Sequence, residues 1–411
     1  MSVFNYYRGL PKAVYIIFFA QIINRFGDFV VPFLTLFLVK IMGYSYQEAG
    51  LAAMLASLAT IPGSFAGGKI ADHIGRKTTY CIFQSAAGIS LLLCVFFNES
   101  VTIVVLICVS SFLNGGVKPI FSAIIADVLP SDKRQQGYSL SYLGINIGVA
   151  LGPVVAGFLF NNYLPLIFIG DSVTSFLAVA LMMRHIKESL PGHDSDQSGS
   201  EHERRENGTL LKVLFRRPRI LAYMIINLFF SAVYAQHVFG LPIVLNDIFG
   251  PDGPRYYGSV MSFNAVTVLI ITLFITRATH KWHPLAAVTL AGILYAAGFG
   301  MIGLIEDISM FFLSTFIWTI GEILIVTNSG VFIANYAPQN FRARFNAVMS
   351  LSWYGGAILG TAAMGTVMDA IGIRGVWLFI FIFGLCGAAG MHLLKLRMIS
   401  DRKDDIEVID T

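Results

Sequence analysis

Long apolar stretches separated by short polar breaks run along the whole chain. Each stretch holds roughly 20 residues or more, the length that an α-helix needs to cross the hydrocarbon core of a bilayer. The pattern predicts an all-α polytopic membrane protein with twelve transmembrane helices. The predicted spans are 12–38, 48–71, 77–97, 101–128, 137–160, 164–184, 219–246, 256–276, 284–305, 308–335, 345–369 and 374–396.

One long polar segment separates the sixth span from the seventh. It mixes acids and bases, among them Glu201, Glu203 and Arg204, and has little that could enter a core. The sequence therefore predicts an N-terminal six-helix half over 1–184, a cytoplasmic linker over 185–218, and a C-terminal six-helix half over 219–411 that ends in a short cytoplasmic tail.

An internal repeat supports the division into two pseudo-symmetric halves. A shift of 208 residues aligns eight identical residues within 32 positions of the fourth and fifth spans with the tenth and eleventh. Repeats that lie six helices apart have parallel topology, as in the two halves of one large class of transporters. In the first half of the chain, the eight repeated residues are Ala126, Pro130, Arg134, Leu143, Gly148, Leu151, Gly152 and Gly157.

Composition excludes an ordinary soluble enzyme. Hydrophobic residues make up 56% of the 411 residues and charged residues 13%, against about 25% charged in a typical soluble domain. The four cysteines fall in apolar runs without metal-ligand spacing, and no nucleotide-binding loop or catalytic cluster stands out. We therefore expect no enzymatic activity, no cofactor and no metal.

The basic residues predict the orientation in the membrane. With the N-terminus in the cytoplasm, 23 of the 28 Lys and Arg residues lie on the cytoplasmic side and three on the outer side. We expect both termini in the cytoplasm and a multi-pass location in a plasma or bacterial inner membrane. We expect the protein to be a monomer. Its expected partners are the lipid bilayer, a small-molecule substrate and protons, and we expect no nucleic acid.

Five charges lie away from the ends of the predicted spans and have a net charge of −1: Arg25, Asp28, Lys118, Asp171 and Glu322. A charge at bilayer depth costs roughly 2.5–3.5 kcal/mol on insertion scales and normally faces a partner or a cavity. We predict that Asp28 and Glu322 carry protons and that Arg25 and Lys118 are counter-charges or substrate contacts. Two alternatives are a purely structural Arg25–Asp28 pair and a structural or snorkelling Asp171.

Other polar and aromatic side chains are candidates for the lining of a substrate cavity. Gln21 and Asn24 share a helical stripe with Arg25 and Asp28. A mixture of aromatic and polar groups suits an amphipathic substrate. The further candidates are Tyr234, Gln236, His237, Asn328 and Trp353.

The loop after the second span contains Gly68, Asp72, Gly75 and Arg76, followed by Lys77. A glycine, an acid four residues later and then Gly-Arg-Lys resemble the signature loop of the major facilitator superfamily. The resemblance implies a cytoplasmic latch between helices, in which Asp72 and Arg76 are the charged parts and Asp127 is their partner.

The fifth span contains Gly148, Gly152 and Pro153 in the pattern Gly-x-x-x-Gly-Pro. Glycines four residues apart let two helices approach closely, and a proline bends the helix beside the contact. The pattern resembles a motif typical of the drug and metabolite antiporters of the same superfamily. It implies an exporter, although ordinary helix packing is the alternative interpretation.

Three short patches resemble the proton-coupled oligopeptide transporters of that superfamily. They are Gly-Gly-x-Lys-Pro around Lys118, Arg25 with the following phenylalanine, and Glu322 in the tenth span. The two acids of that family's first helix are replaced by Gln21 and Asn24. We therefore favour proton-coupled export of amphipathic small molecules by alternating access, with proton-coupled uptake of peptides or similar polar solutes as the alternative.

Overall fold

A computed structural model describes residues 7–97, 100–130, 133–188, 214–336 and 342–407. Regular structure within these ranges is entirely helical. Most of the predicted linker, 189–213, and the last four residues of the tail lie outside the described residues. The α-helices are α1 (Lys12–Phe26), α2 (Val30–Lys40), α3 (Tyr46–Ile74), α4 (Arg76–Leu93), α5 (Ser100–Val128), α6 (Arg134–Asn162), α7 (Pro165–His185), α8 (Pro218–Tyr234), α9 (Gly240–Phe249), α10 (Gly253–Thr279), α11 (Pro284–Gly300), α12 (Ile308–Tyr336) and α13 (Arg342–Glu407).

The helices confirm an all-α polytopic membrane protein. Ten ranges of the described chain are long and apolar enough to cross a bilayer. Two of them, Pro218–Thr279 with 62 residues and Val348–Ser400 with 53 residues, each exceed twice the roughly 20 residues that one crossing needs. The count of twelve crossings stays a prediction.

Local sequence sets several helix ends. The Ser45 hydroxyl accepts from the Glu48 N–H at 3.2 Å, and the Glu48 carboxylate accepts from the Ser45 N–H at 2.8 Å, so a reciprocal cap begins α3. Proline occupies the first position of α7, α8 and α11, where its missing N–H removes no helical hydrogen bond. Gly372, at φ +83°, interrupts α13 and divides it into two helical parts.

The first apolar stretch differs from its prediction. The sequence predicts one continuous helix over 12–38, whereas the structure ends α1 at Phe26 and begins α2 at Val30. At the break, the Phe29 N–H bonds to the Gly27 carbonyl at 2.7 Å instead of continuing the helical ladder. Because hydropathy does not record backbone hydrogen bonds, the uninterrupted apolar run could not reveal this break.

The chain forms two compact units. The first contains Met1–Asp196 and Leu241–Leu269, and the second contains Gln197–Gly240 and Ile270–Thr411. The core of the first unit is centred on α1, α4 and α5, where the rings of Tyr80 and Phe121 meet edge to face at 5.0 Å. In the second unit, Tyr223 stacks on Phe332 at 4.4 Å, and Trp318 is fully buried.

Helix α6 packs closely on α1 through the two glycines of its Gly-x-x-x-Gly-Pro pattern. A Cβ atom at Gly148 would lie 2.6 Å from the Arg25 Cβ and 2.8 Å from the Ile22 carbonyl oxygen. A Cβ atom at Gly152 would lie 2.7 Å from the Phe26 carbonyl oxygen. These distances are too short for real side chains, so the two glycines set the spacing between α6 and the helix that contains Arg25.

We predict that Gly148→Ala destabilises the protein, because the added methyl group must push α1 away. Overpacking of this kind costs roughly 1–3 kcal/mol. The matched control is Gly330→Ala in α12, where an added Cβ meets no atom within 4 Å and alanine favours the helix. Thermal unfolding of each purified variant in detergent measures its stability relative to the wild-type protein. A Gly148→Ala protein as stable as the control would contradict the role given to this contact.

Candidate functional site

A charged pair lies at the break in the first apolar stretch. Arg25 is in the last turn of α1 and Asp28 is between α1 and α2. The Arg25 Nη1 and Asp28 Oδ2 atoms are 2.9 Å apart, and the two side chains are 25% and 29% exposed. The side-chain pairing that the sequence left open is therefore present, and neither side chain is fully buried.

Lys118 and Asp171 belong to the same cluster. The Lys118 side chain, on α5, is exposed and interacts electrostatically with Arg25 and Asp28. Asp171, on α7, is buried and interacts with the same two residues. Two bases and two acids from three parts of the first unit thus form one cluster with a formal charge of zero.

The two amides of the predicted stripe have different surroundings. Gln21 is buried, and its Nε2 lies 3.5 Å from the Ser141 hydroxyl oxygen on α6. Asn24 is half-buried. Gln21 therefore links α1 to α6, while Asn24, next to Arg25 in the chain, is only partly buried.

The second unit contains a carboxylate next to aromatic rings. The Tyr234 hydroxyl donates to the Glu322 carboxylate at 2.8 Å. The Tyr234 ring stacks on Tyr295 with centroids 5.8 Å apart and tilts against Trp353 at 5.6 Å. Because Glu322, Tyr234 and Trp353 are each half-buried, the group combines one acid with accessible aromatic surface.

His237 completes this aromatic group. Its ring centroid lies 4.2 Å from that of Tyr234, and its Nδ1 is 2.5 Å from the Tyr234 carbonyl oxygen. The nearby turn of Ala235–His237 replaces the end of α8 with a tighter helix. His237 is therefore held by backbone geometry beside the tyrosine that binds Glu322.

Two predicted lining residues are packed within their own helices. Gln236 is buried and its Nε2 donates to the Ala232 carbonyl at 3.0 Å. Asn328 is also buried, and its Nδ2 donates to the Leu324 carbonyl at 2.9 Å. Both amides are therefore buried and bonded to the backbone carbonyl four residues earlier, and their place in a substrate cavity stays a prediction.

The signature loop forms a compact ionic latch. Arg76, the first residue of α4, donates through Nη1 to Asp72 at 2.9 Å and through Nε to Asp127 at 3.0 Å. Gly75 connects α3 to α4 at φ +101°, a conformation that glycine adopts without strain. Gly68 lies on α3, where an added Cβ would meet no atom within 4 Å.

Glu188 is a third acid at this latch, and sequence reasoning missed it. Its carboxylate accepts from the backbone N–H groups of Lys77 and Thr78, each at 2.9 Å, and from the Thr78 hydroxyl at 2.5 Å. It therefore caps the N-terminus of α4, where a negative charge is favourable. Glu188 follows α7 in a polar stretch. Its negative charge was the only feature of the sequence that could have indicated a role as a helix cap.

The described residues contain no group of three or more His, Cys, Asp or Glu side chains that could hold a metal ion. What they do contain is membrane-length helices with ionisable side chains inside the spans, among them Lys118, Asp171 and Glu322. Ionisable residues in that setting mark the pathways of membrane transporters. The fold and the charged groups thus define the class as a membrane transporter.

Comparisons with known proteins give the family. The sequence model of the Major Facilitator Superfamily matches residues 17–361. The chain belongs to the Major Facilitator Superfamily. It is 22% identical over 401 residues to the uncharacterised MFS-type transporter YttB of Bacillus subtilis. The aligned region covers 96% of this chain and 98% of YttB.

Other relatives have more specific names. The Na(+), Li(+), K(+)/H(+) antiporter of Planococcus maritimus is 21% identical over 399 residues, covering 91% of this chain and 93% of that protein. The quinolone resistance protein NorA of Staphylococcus aureus is 27% identical over 185 residues, and the match covers 44% of this chain and 47% of NorA.

Solved structures support the fold. The nucleoside transporter NupG has a TM-score of 0.79 at 13% identity, covering 93% of this chain and 99% of that one. An auto-inhibited peptide transporter of the POT family has a TM-score of 0.77 at 16% identity, covering 94% and 97%. At these identities the likeness concerns the fold alone.

We predict that Glu188 and Asp127 act together, because both hold the first turn of α4. Glu188→Gln, Asp127→Asn and the double variant form a mutant cycle, measured as free energy of unfolding in detergent. Groups that share one structural element couple by roughly 0.5–3 kcal/mol.

The matched control is the cycle of Glu48→Gln with Asp127→Asn. Glu48 also caps a helix N-terminus, that of α3, but takes no part in the latch. We expect additivity in the control cycle. Additivity in the Glu188 cycle as well would show that Glu188 is an independent cap.

Proposed function

We propose that the protein is a secondary active transporter that exports amphipathic small molecules in exchange for protons. In this proposal, the halves 1–184 and 219–411 alternate access to one substrate site, and the segment 185–218 is a cytoplasmic linker. The protein acts as a monomer in a cell membrane, with both termini in the cytoplasm.

The observation that carries the proposal is the Glu322 carboxylate beside the half-buried Tyr234 and Trp353 rings. Ring faces attract organic cations and give an amphipathic molecule apolar contact. The carboxylate supplies a full negative charge at the same place. A substrate with a flat apolar body and a positive group matches both parts.

Proton exchange follows from the chemistry of one carboxylate. Ionised Glu322 accepts the Tyr234 hydrogen bond and attracts a cationic group, whereas protonated Glu322 has lost the charge that attracts it. A proton and a cationic substrate therefore compete for Glu322. This competition converts a proton gradient into outward substrate movement when each binds from a different side.

The Arg25–Asp28–Lys118 cluster supplies a second proton site in this proposal. Asp28 is half-buried and 2.9 Å from the Arg25 guanidinium. Protonation of Asp28 would weaken its bond to Arg25 and change the formal charge of the cluster that includes Lys118 and Asp171 from zero to +1. The resulting net charge favours rearrangement of the cluster, so proton binding there is coupled to movement.

The relatives support exchange with protons and efflux. The name of the Planococcus maritimus relative describes cation/H(+) antiport, and that of NorA describes quinolone resistance. The close contact of Gly148 and Gly152 with α1, within a Gly-x-x-x-Gly-Pro pattern, resembles a feature of antiporters. These likenesses favour export over uptake.

Proton-coupled uptake of peptides or similar polar solutes is the second candidate. Lys118 interacts electrostatically with Arg25 and Asp28, and two positive groups close together would suit a substrate carboxylate. The POT family transporter shares the fold. In this case the proton and the substrate would move in the same direction.

The two candidates differ in the direction of proton flow. Purified protein in proteoliposomes, with an imposed pH gradient and a pH-sensitive dye inside, is given tetraphenylphosphonium or a dipeptide. We expect tetraphenylphosphonium to evoke proton movement opposite to its own flux. Movement of protons together with the dipeptide would establish the symporter, and no proton movement with either probe would refute proton coupling to both substrate classes.

We predict that Glu322→Gln abolishes tetraphenylphosphonium-driven proton movement, because glutamine keeps the size of the side chain but carries no charge and takes up no proton. The matched control is Glu306→Gln. Glu306 is a 76% exposed acid that pairs with Arg374 at 3.0 Å. Full proton movement in Glu322→Gln would refute the role of Glu322.

We predict that Tyr234→Phe changes coupling more than substrate binding. Phenylalanine keeps the ring for stacking but removes the hydrogen bond to Glu322. A hydrogen bond to a charged group contributes roughly 1.5–3 kcal/mol, which corresponds to about a 10- to 100-fold change in proton affinity. The pH profile of transport should shift while the Kd for tetraphenylphosphonium changes little; an unchanged profile would contradict the role of the hydroxyl.

A further inference from the structure

Asp171 is bonded to the break in the first membrane helix. Its Oδ2 accepts from the Val30 N–H at 3.4 Å, and the Phe29 N–H also donates to this carboxylate. Val30 is the first residue of α2. The first N–H groups of a helix have no partner within that helix, so the α7 side chain supplies the acceptor that the break removes.

Helix α7 also fits the break sterically. A Cβ atom at Gly27 would lie 1.7 Å from the Thr174 Oγ1, so only glycine fits there. The Thr174 hydroxyl is held by the carbonyls of its own helix, at Gly170 and Asp171. The break and α7 are therefore in close contact on both sides of Asp28.

The charges around Asp171 make this contact sensitive to protonation. Asp171 interacts with Asp28 and Arg25 at the break. Arg25 also interacts with Lys118 of α5 and with Tyr80 of α4. The bonds from the N–H groups of α2 are strongest to an ionised carboxylate, because hydrogen bonds to a charged acceptor are roughly twice as strong as neutral ones and the helix N-terminus carries partial positive charge.

We propose that Asp171 is a positioning residue of the transport cycle, whose ionised carboxylate holds the start of α2 and whose protonation releases it. Uptake of one proton at the carboxylate breaks no covalent bond; it weakens the bonds from Phe29 and Val30 and changes the formal charge of the four-residue cluster from zero to +1. Helix α2 can then move relative to α1. The coupling to transport rests on the proton-coupled function proposed above.

Three variants separate the parts of this proposal. Asp171→Asn keeps an oxygen acceptor for the α2 N–H groups but cannot titrate in this way. Asp171→Leu removes both the acceptor and the charge, and Asp171→Glu restores both. The matched control is Ser172→Ala on the same turn of α7, which removes bonds to the Gly88 and Phe168 carbonyls without touching the break.

Hydrogen exchange measured by mass spectrometry on a peptide covering residues 26–33 reports the contact directly. In the wild-type protein, exchange corrected for its intrinsic pH dependence should accelerate on acidification. Asp171→Asn should remove this acceleration, Asp171→Leu should raise exchange at least tenfold at every pH, and Asp171→Glu and Ser172→Ala should behave as the wild type. The wild-type measurement stands even where a variant fails to fold.

The pH profile of transport tests the coupling. We expect Asp171→Asn to flatten the profile while Ser172→Ala preserves it, which a merely structural role would not produce. A wild-type peptide whose corrected exchange is independent of pH, or an Asp171→Asn protein with wild-type dependence of both exchange and transport, would overturn the inference. Acid-dependent exchange in a wild type that moves no protons with substrate would support the Asp171 contact and refute the proposed function instead.

Discussion

The pairing of charges inside the membrane spans organises the first unit. Arg25 and Asp28 bond to each other at 2.9 Å, and this pair lies where α1 stops and α2 begins. The cost of an isolated charge at such a depth is of order several kcal/mol. The helix break, the approach of α6 through Gly148 and Gly152, and the positions of Lys118 and Asp171 all surround this one pair.

The two units use different chemistry at their polar centres. The first unit balances two acids against two bases, so its cluster is neutral as a whole. The second places Glu322 next to a tyrosine hydroxyl and aromatic rings, and the Tyr234 hydroxyl donates a hydrogen bond to its carboxylate. A neutral cluster is suited to conformational change within the protein, whereas an acid among aromatic rings is suited to reversible binding of a substrate.

Much of the fold could be predicted because hydropathy over roughly 20 residues is a strong signal. The Arg76–Asp72 and Arg76–Asp127 contacts followed from the signature loop. The break at Gly27 and the bonds of Asp171 could not be predicted, since they depend on which helix packs against which. Glu188 was hidden for a similar reason: its polar neighbours resemble a linker, and only folding brings it to the start of α4.

Helix α2 is short enough to move as one rigid body. Its eleven residues span about 16 Å at 1.5 Å each, from the bonds at Val30 to Lys40, whose Nζ donates to the Asn246 side chain at 2.9 Å. Between them, Phe33 meets the ring of Tyr257 edge to face at 5.0 Å. A rotation of about 10° about the Lys40 end of α2 would displace Val30 by roughly 3 Å. That is enough to separate the Val30 N–H from the Asp171 carboxylate, so a helix that stays bonded at Lys40 can still open the break at its other end.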